Sequence, residues 1–254
     1  MRASIRLLLP LLLFAAGCAP KGAEPLSDAP LLADDLVVDD AEMTAPSESD
    51  GSILDPREPP EPAYGGPDYF PAALGEATVG CDGGGEARPQ PVLGDFERKW
   101  YSRHLAAAGE RPLHQPPPPA VEGAAATLRF TWLRSFHAPV VIRVETDAAG
   151  ERRLFARQLS GAGGYDPGHV EKRLERALTR RESKRLEAAL EGTRLFDRPG
   201  DPCELGVDGA QWIFESSGPG GYRFASYWTP REGSANRLGL LLMELTGWTF
   251  GMVY

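Results

Sequence analysis

Two periods of apolar residues run through the latter part of this 254-residue chain and predict its elements. Phe96, Trp100, Tyr101, Leu105 and Ala108 fall on one helical face, between an N-cap type residue, Asp95, and a helix-stopping Gly109. That spacing predicts an amphipathic helix that must dock on another layer. Over 126–136 the period changes to two. Leu128, Phe130 and Trp132 point one way and Arg129, Thr131 and Ser135 the other, the pattern of a half-buried strand. Phe136-His137-Ala138-Pro139 turns the chain into a second strand through Val140, Val141, Ile142 and Val144, and Asp147 to Gly150 turns it into a third near Arg153–Leu159.

A glycine-rich break, Gly161 to Gly168, comes next. Val170, Leu174 and Leu178 fit either period, but Thr179-Arg-Arg-Glu182 is a capping box, which sets a helix start there. The reading is therefore a strand over 170–178 and a helix over 180–192 with Leu186, Ala189 and Leu190 inward. Gln211–Glu215 and Tyr222–Trp228 read as a hairpin across the Ser/Gly/Pro-rich 216–221. Ser234 caps a last helix over 235–246, whose core stripe is Leu238, Leu241, Leu242 and Leu245, widened by Leu240 and Met243. That run is short and holds Arg237 and Glu244, so it reads as a buried helix and not a membrane span. The expected fold class is α+β: an antiparallel sheet of about five to six strands with helices packed on one face.

The N-terminal part follows neither period. Arg2 and Arg6 precede a short apolar run, Leu7 to Ala16, and then Gly17-Cys18. The run is too short to span a bilayer and has the build of a signal peptide. From Ala19 to Tyr64, twelve acidic residues stand against Lys21 and Arg57, a net charge of −10, with proline recurring throughout. The whole chain carries −9, so residues 65–254 are near neutral. A segment of that composition buries too little apolar surface to offset its ordering entropy and reads as a tether, reaching roughly 35–40 Å as a flexible coil. Its Asp pairs, 34–35 and 39–40, lack the glycine turn and spacing of a calcium loop. The organisation expected is a signal peptide over 1–17, a tether over 18–64, an arm with one helix over 65–120 and an α+β body over 121–254. Pro116 to Pro119 form a stiff connector between arm and body.

Charge and chemistry narrow the function classes. A neutral domain behind an acidic tether lacks the basic footprint that nucleic acid requires. The chain holds no G-x-S-x-G, S-x-x-K or H-E-x-x-H, and His104, His114, His137 and His169 show no metal-ligand spacing. No catalytic residue, metal or cofactor is assigned. The glycine break lacks the Lys and Ser/Thr of a phosphate loop, which leaves a wide hairpin connection. Cys81 and Cys203 form an even pair once Cys18 is set aside, and in an oxidising compartment such a pair suggests a disulfide, with free thiols or intermolecular pairing as alternatives. The polar candidates are Arg134, Asp208 and Glu215. Arg134 continues the Leu128-Phe130-Trp132 face, and a buried guanidinium needs a carboxylate, which Glu215 or Asp208 would supply as a structural ion pair or as part of a ligand site. Trp212, Tyr222, Tyr227 and Trp228 crowd the hairpin as core or as the lining of a groove.

Two resemblances add to this. Ala15-Ala16-Gly17-Cys18 resembles the lipobox of bacterial lipoproteins, with Ala15 where that pattern has Leu. An ordinary secretory signal with a chance cysteine is the alternative. The resemblance implies acylation of Cys18 and a lipid bilayer as partner. With Ala19 and not Asp after the cysteine, it implies the periplasmic face of the outer membrane over the inner one. Further on, Phe96-Glu-Arg-Lys-Trp100-Tyr101-Ser102, Phe130-Thr-Trp-Leu-Arg134-Ser-Phe-His137, Gly163-Gly-Tyr165-Asp-Pro-Gly168, Gly206-Val-Asp208-Gly-Ala-Gln-Trp212-Ile-Phe-Glu215 and Tyr227-Trp-Thr-Pro230 stand in an order that resembles a family of uncharacterised exported bacterial proteins, over residues 95–254. Where that pattern has a His after the hairpin Tyr, this chain has Arg223. The resemblance implies a domain and no mechanism. The expectation is a membrane-anchored envelope lipoprotein whose domain binds or scaffolds, with an envelope protein as its partner. The alternative is an envelope-polymer hydrolase using Asp208 and Glu215 as a carboxylate pair.

Overall fold

The chain is described by a computed structural model, which places residues 66–81, 88–116, 124–191, 193–200, 202–203, 206 and 208–254. The signal peptide, Cys18, the tether and Pro117–Pro119 lie outside the described residues.

The elements run α1 (Ala73–Glu76), β1 (Thr78–Cys81), β2 (Arg88–Pro91), α2 (Asp95–Ala107), β3 (Ala124–Arg134), β4 (Val140–Asp147), β5 (Arg152–Leu159), β6 (Val170–Ala177), α3 (Arg180–Glu191), β7 (Ala210–Ser217), β8 (Arg223–Trp228) and α4 (Gly233–Leu245). A short antiparallel hairpin, β1–β2, belongs to the arm. The main sheet has six strands in the order β6-β5-β4-β3-β7-β8, every neighbouring pair antiparallel. The fold is α+β, mostly sheet. Strands β3 to β6 meander outward by successive hairpins. The chain then crosses through α3 and lays β7 against the free side of β3, which makes β3 a central strand.

Centrality explains the burial of β3. Every residue from Thr127 to Arg134 is buried, on both faces of the strand. One face, carrying Leu128, Phe130, Trp132, Ile142, Leu154, Trp212 and Phe214, meets Leu186 of α3 and Leu238, Leu242 and Leu245 of α4. A buried side chain of this size contributes about 1.5–3 kcal/mol. Gly239 lets α4 approach closely, because a Cβ there would run into the Trp212 ring. The opposite face, with Leu133, Val141, Leu159, Ile213 and Phe224, is covered by Tyr101 and Leu105 of α2 and by Tyr69, Phe70, Val92 and Leu93 of the arm. Helices on one face therefore describes α3 and α4 alone; α2 occupies the other face. The reason is that both sides of the central strands are apolar enough to need a cover.

The helix ends follow local chemistry. Thr179 and Glu182 close the capping box reciprocally, Glu182 accepting from the Thr179 amide at 2.8 Å and Thr179 Oγ1 from the Glu182 amide at 3.3 Å. Helix α2 begins at Asp95 itself, with Gly94 as its N-cap, and α4 begins one residue before Ser234. No helix among the described residues is long and apolar enough to cross a membrane.

Candidate functional site

The sheet face beneath the arm carries a cluster of buried charge. Arg129 lies on β3 directly opposite Glu215 of β7 and Arg143 of β4. It is fully buried, as is Glu215. Its Nε and Nη2 donate to the two Glu215 oxygens at 2.7 and 2.8 Å, and its Nη1 donates to the Arg111 carbonyl at 2.6 Å. Tyr222 Oη donates to the same carboxylate at 2.9 Å. Glu110, from the turn after α2, brings a second carboxylate: it accepts from Arg143 Nε at 2.9 Å and Arg157 Nη1 at 3.0 Å and stands 3.5 Å from Arg129 Nη1. Arg143 also pairs with Glu145.

The electrostatics follow from this closure. Burial opposes the Arg129 charge, but Glu215 and Glu110 outweigh it and raise the guanidinium pKa. Burial raises the Glu215 carboxyl pKa, with Arg129 and Tyr222 drawing it back. Burial, and then the Glu215 charge, push the Tyr222 hydroxyl well above its ordinary value. With both oxygens taken, Glu215 presents no free face to a substrate. The cluster joins three consecutive strands, β7 and the arm, and what it does chemically is hold them together.

The structure separates the residues singled out from the sequence. Arg134 is buried, but its guanidinium donates to the carbonyls of Ala138 at 2.8 Å and Met252 at 3.3 Å and lies 4.2 Å over the Trp132 ring. Burial lowers its pKa. Neither Glu215 nor Asp208 pairs with it; the partner of Glu215 is Arg129, on the strand face that alternation marks as polar. Asp208 is exposed in the turn before β7. The expected Arg134–Glu215 pair and the joint Asp208–Glu215 cluster are thus replaced by the Arg129 clamp.

The hairpin aromatics do not form one groove. Trp212 is a core residue whose indole donates to the Tyr254 main-chain oxygen at 2.9 Å. Tyr227 donates to the Leu195 carbonyl at 2.9 Å on that same side, while Tyr222 joins the clamp on the opposite face. Trp228 covers Gly206 and Gly209, where any side chain would meet its ring. Cys81 and Cys203 stand at disulfide distance, with Cα atoms 5.3 Å apart. They link the arm hairpin to the loop before β7.

The glycine break is the β5–β6 connection, and its glycine amides are spent. Gly161 and Ala162 donate to the Pro167 and Asp166 carbonyls, and Gly163 to that of His137. Trp100 of α2 donates to the Gly163 carbonyl at 2.5 Å and Arg103 to that of Tyr165 at 2.8 Å. This loop is a dock for α2. His104 is buried beside it, bonded to the Trp100 carbonyl at 2.9 Å, and burial lowers its pKa. Among the described residues no group of His, Cys, Asp and Glu could hold a metal ion.

One concavity of about 350 Å³ opens where the α3–α4 core layer runs out. Its walls are Leu128 and Val144 of the sheet, Leu186 and Leu190 of α3, and Phe196; its rim includes Ser216, the 217–221 turn and Arg223. Sequence reasoning missed both this cavity and Arg129. The readable signal for Arg129 was an arginine at the same face of three successive strands, Arg129, Arg143 and Arg157, with Glu215 on the fourth. The cavity had no such signal, because it depends on where α3 stops. In comparisons with known proteins, no family model and no curated protein matches the chain.

Proposed function

We propose that this chain is a lipoprotein of the bacterial cell envelope, fixed to a bilayer through acylated Cys18 and carrying a non-catalytic binding domain on an acidic tether. The periplasmic face of the outer membrane is the site proposed, on the strength of Ala19, and the exported bacterial proteins with the same ordered motifs are its proposed family. In that oxidising compartment the Cys81–Cys203 bond forms and ties the arm hairpin to the body.

One observation carries the binding reading. The buried ionisable groups of the Arg129 clamp satisfy one another, with Glu215 held at 2.7 and 2.8 Å by Arg129 and at 2.9 Å by Tyr222, while the open cavity has an apolar inner side of Leu128, Val144, Leu186, Leu190 and Phe196 and a polar rim. Groups set up for acid–base work need access to a substrate, and a concave apolar surface with a few polar groups is the usual form of a binding site. The carboxylate-pair hydrolase gains nothing from this arrangement.

Labelled palmitate supplied to cells making wild type or Cys18→Ser tests the anchor. Label is expected on wild type only, and equal labelling removes the anchor. Cross-linking in intact envelopes followed by capture of the full chain tests the partner. A specific protein absent from a control with an unrelated lipoprotein is the expected result, and identical captures count against it.

A further inference from the structure

We propose that the cavity at the end of the α3–α4 core layer binds a single-chain amphiphile with an anionic head, its acyl chain against Leu128, Leu186, Leu190 and Phe196 and its head at Ser216 and Arg223. This deepens the binding reading above and does not need the anchor.

Two independent observations point to the head group. Ser216 and Arg223 are directly opposed across the β7–β8 hairpin, so both side chains project from one face of the sheet, and both line the cavity. Ser216 Oγ is buried and has no hydrogen-bond partner. A buried hydroxyl left without a partner carries a desolvation cost, and an acceptor entering the cavity would relieve it. Arg223 lies with its guanidinium 5.3 Å over the Phe196 ring and has no carboxylate within ion-pair distance among the described residues. The other charges at the rim have neighbours of their own. Arg152 donates to the Ser183 carbonyl at 3.2 Å and stands 3.8 Å from Glu187, and Asp197 stands 3.8 Å from Arg194. A hydroxyl and a guanidinium on one face at the rim of the same cavity offer two donors to one carboxylate or phosphate.

The walls decide the rest of the ligand. Leu128, Val144, Leu186, Leu190 and Phe196 continue the core layer and line the inner side of the cavity, with Thr127, Thr146, Thr193, Arg152 and Asp197 among the polar lining residues, so the apolar strip favours transfer of a hydrocarbon chain from water. At about 350 Å³ the cavity lies at the small end of the ligand-pocket range, which suits one chain and not two. A free fatty acid and a lysophospholipid share this chemistry.

The test uses the full chain with Cys18→Ser, so that no acyl group of its own competes, titrated with dodecanoate while backbone amide resonances are followed by NMR. Shifts are expected at Leu190, Ser217, Gly218 and Gly221. Arg223→Gln, at an exposed position, is expected to weaken dodecanoate roughly tenfold and leave neutral dodecanol unchanged. Ala126→Trp, which fills the cavity, is expected to abolish both. Lysophosphatidylglycerol competing with dodecanoate assigns the ligand to the membrane, and failure to compete assigns it to free fatty acid. No shift at these amides, or equal dodecanoate affinity in wild type and Arg223→Gln, overturns the proposal. Loss of palmitate labelling would sink the anchor and leave this titration untouched, so the two failures are distinct.

Discussion

Replacing Arg129 with methionine isolates the energetic role of the clamp. The side chain is fully buried and its Nε and Nη2 serve both oxygens of Glu215 at 2.7 and 2.8 Å. Its removal leaves Glu215 buried with the Tyr222 hydroxyl alone, while Glu110 keeps Arg143 and Arg157. Breaking a buried ion pair from one side costs about 3–5 kcal/mol, because the surviving charge remains desolvated. That is a large share of the 5–15 kcal/mol typical of a domain. Glu215→Leu alone is expected to cost somewhat less, since Arg129 keeps the Arg111 carbonyl at 2.6 Å and Glu110 at 3.5 Å. The double variant Arg129→Met/Glu215→Leu strands neither charge of the pair and is expected to cost clearly less than the two singles together. Urea unfolding followed by tryptophan fluorescence gives all four corners of the cycle. Additive losses, or an Arg129→Met cost below about 1 kcal/mol, would refute the claim that this pair holds the arm face of the sheet together.

Other consequences are as direct. Cys203→Ser, or reduction of wild type, is expected to lower the urea midpoint by the equivalent of about 2–4 kcal/mol, with the variant insensitive to reductant; a midpoint of wild type that ignores reductant would refute the bond. Gly163→Ala would place a Cβ 2.5 Å from the Arg134 amide nitrogen, so it should cost about 1–3 kcal/mol and speed hydrogen exchange in α2, which docks on that loop. Hydrogen bonds from Arg176, then Thr179, hold the Glu182 carboxyl down to about 2. A depressed carboxylate stabilises above its unfolded value and loses that contribution as pH falls through the folded one. Glu182→Gln should therefore cost about 1 kcal/mol at pH 7, water screening limiting the effect, and nothing measurable near pH 2. Deletion of residues 65–120 should leave the body unable to fold cooperatively, read as loss of the urea transition.

Periodic elements were legible in the sequence wherever the period ran for more than two turns or five strand positions. The strand through Leu128, Phe130 and Trp132, the capping box at Thr179 and the leucine stripe of α4 each stand where the pattern puts them. The segment 170–178 is ambiguous by period, and the box that follows it decides for a strand, because that local hydrogen-bonding motif is intact in the fold. Helix α1 and the β1–β2 hairpin were not legible, because four residues carry too little period of either kind. The site was harder to see. Alternation identifies which residues of a strand share a face, and it did so correctly for Arg129 and Thr131. It does not say what covers that face.

The missing quantity was the partner brought by the arm. Without Glu110, the face would carry Arg129, Arg143 and Arg157 against Glu215 and Glu145, which leaves the half-buried Arg157 without a carboxylate. Glu110 sits just past Gly109, the residue that ends α2 with a positive φ of 65°, so the helix stop and the delivery of the carboxylate are one event. The same helix is pinned at Trp100 and Arg103 to the β5–β6 loop, which fixes how far along the sheet Glu110 arrives. The charge pattern on three strands, the length of α2 and the glycines of a distant loop therefore answer to one constraint. A charged residue on a central strand is better read as a demand for a buried counter-charge from elsewhere in the chain than as a mark of solvent, and here the demand is met by the turn that follows α2.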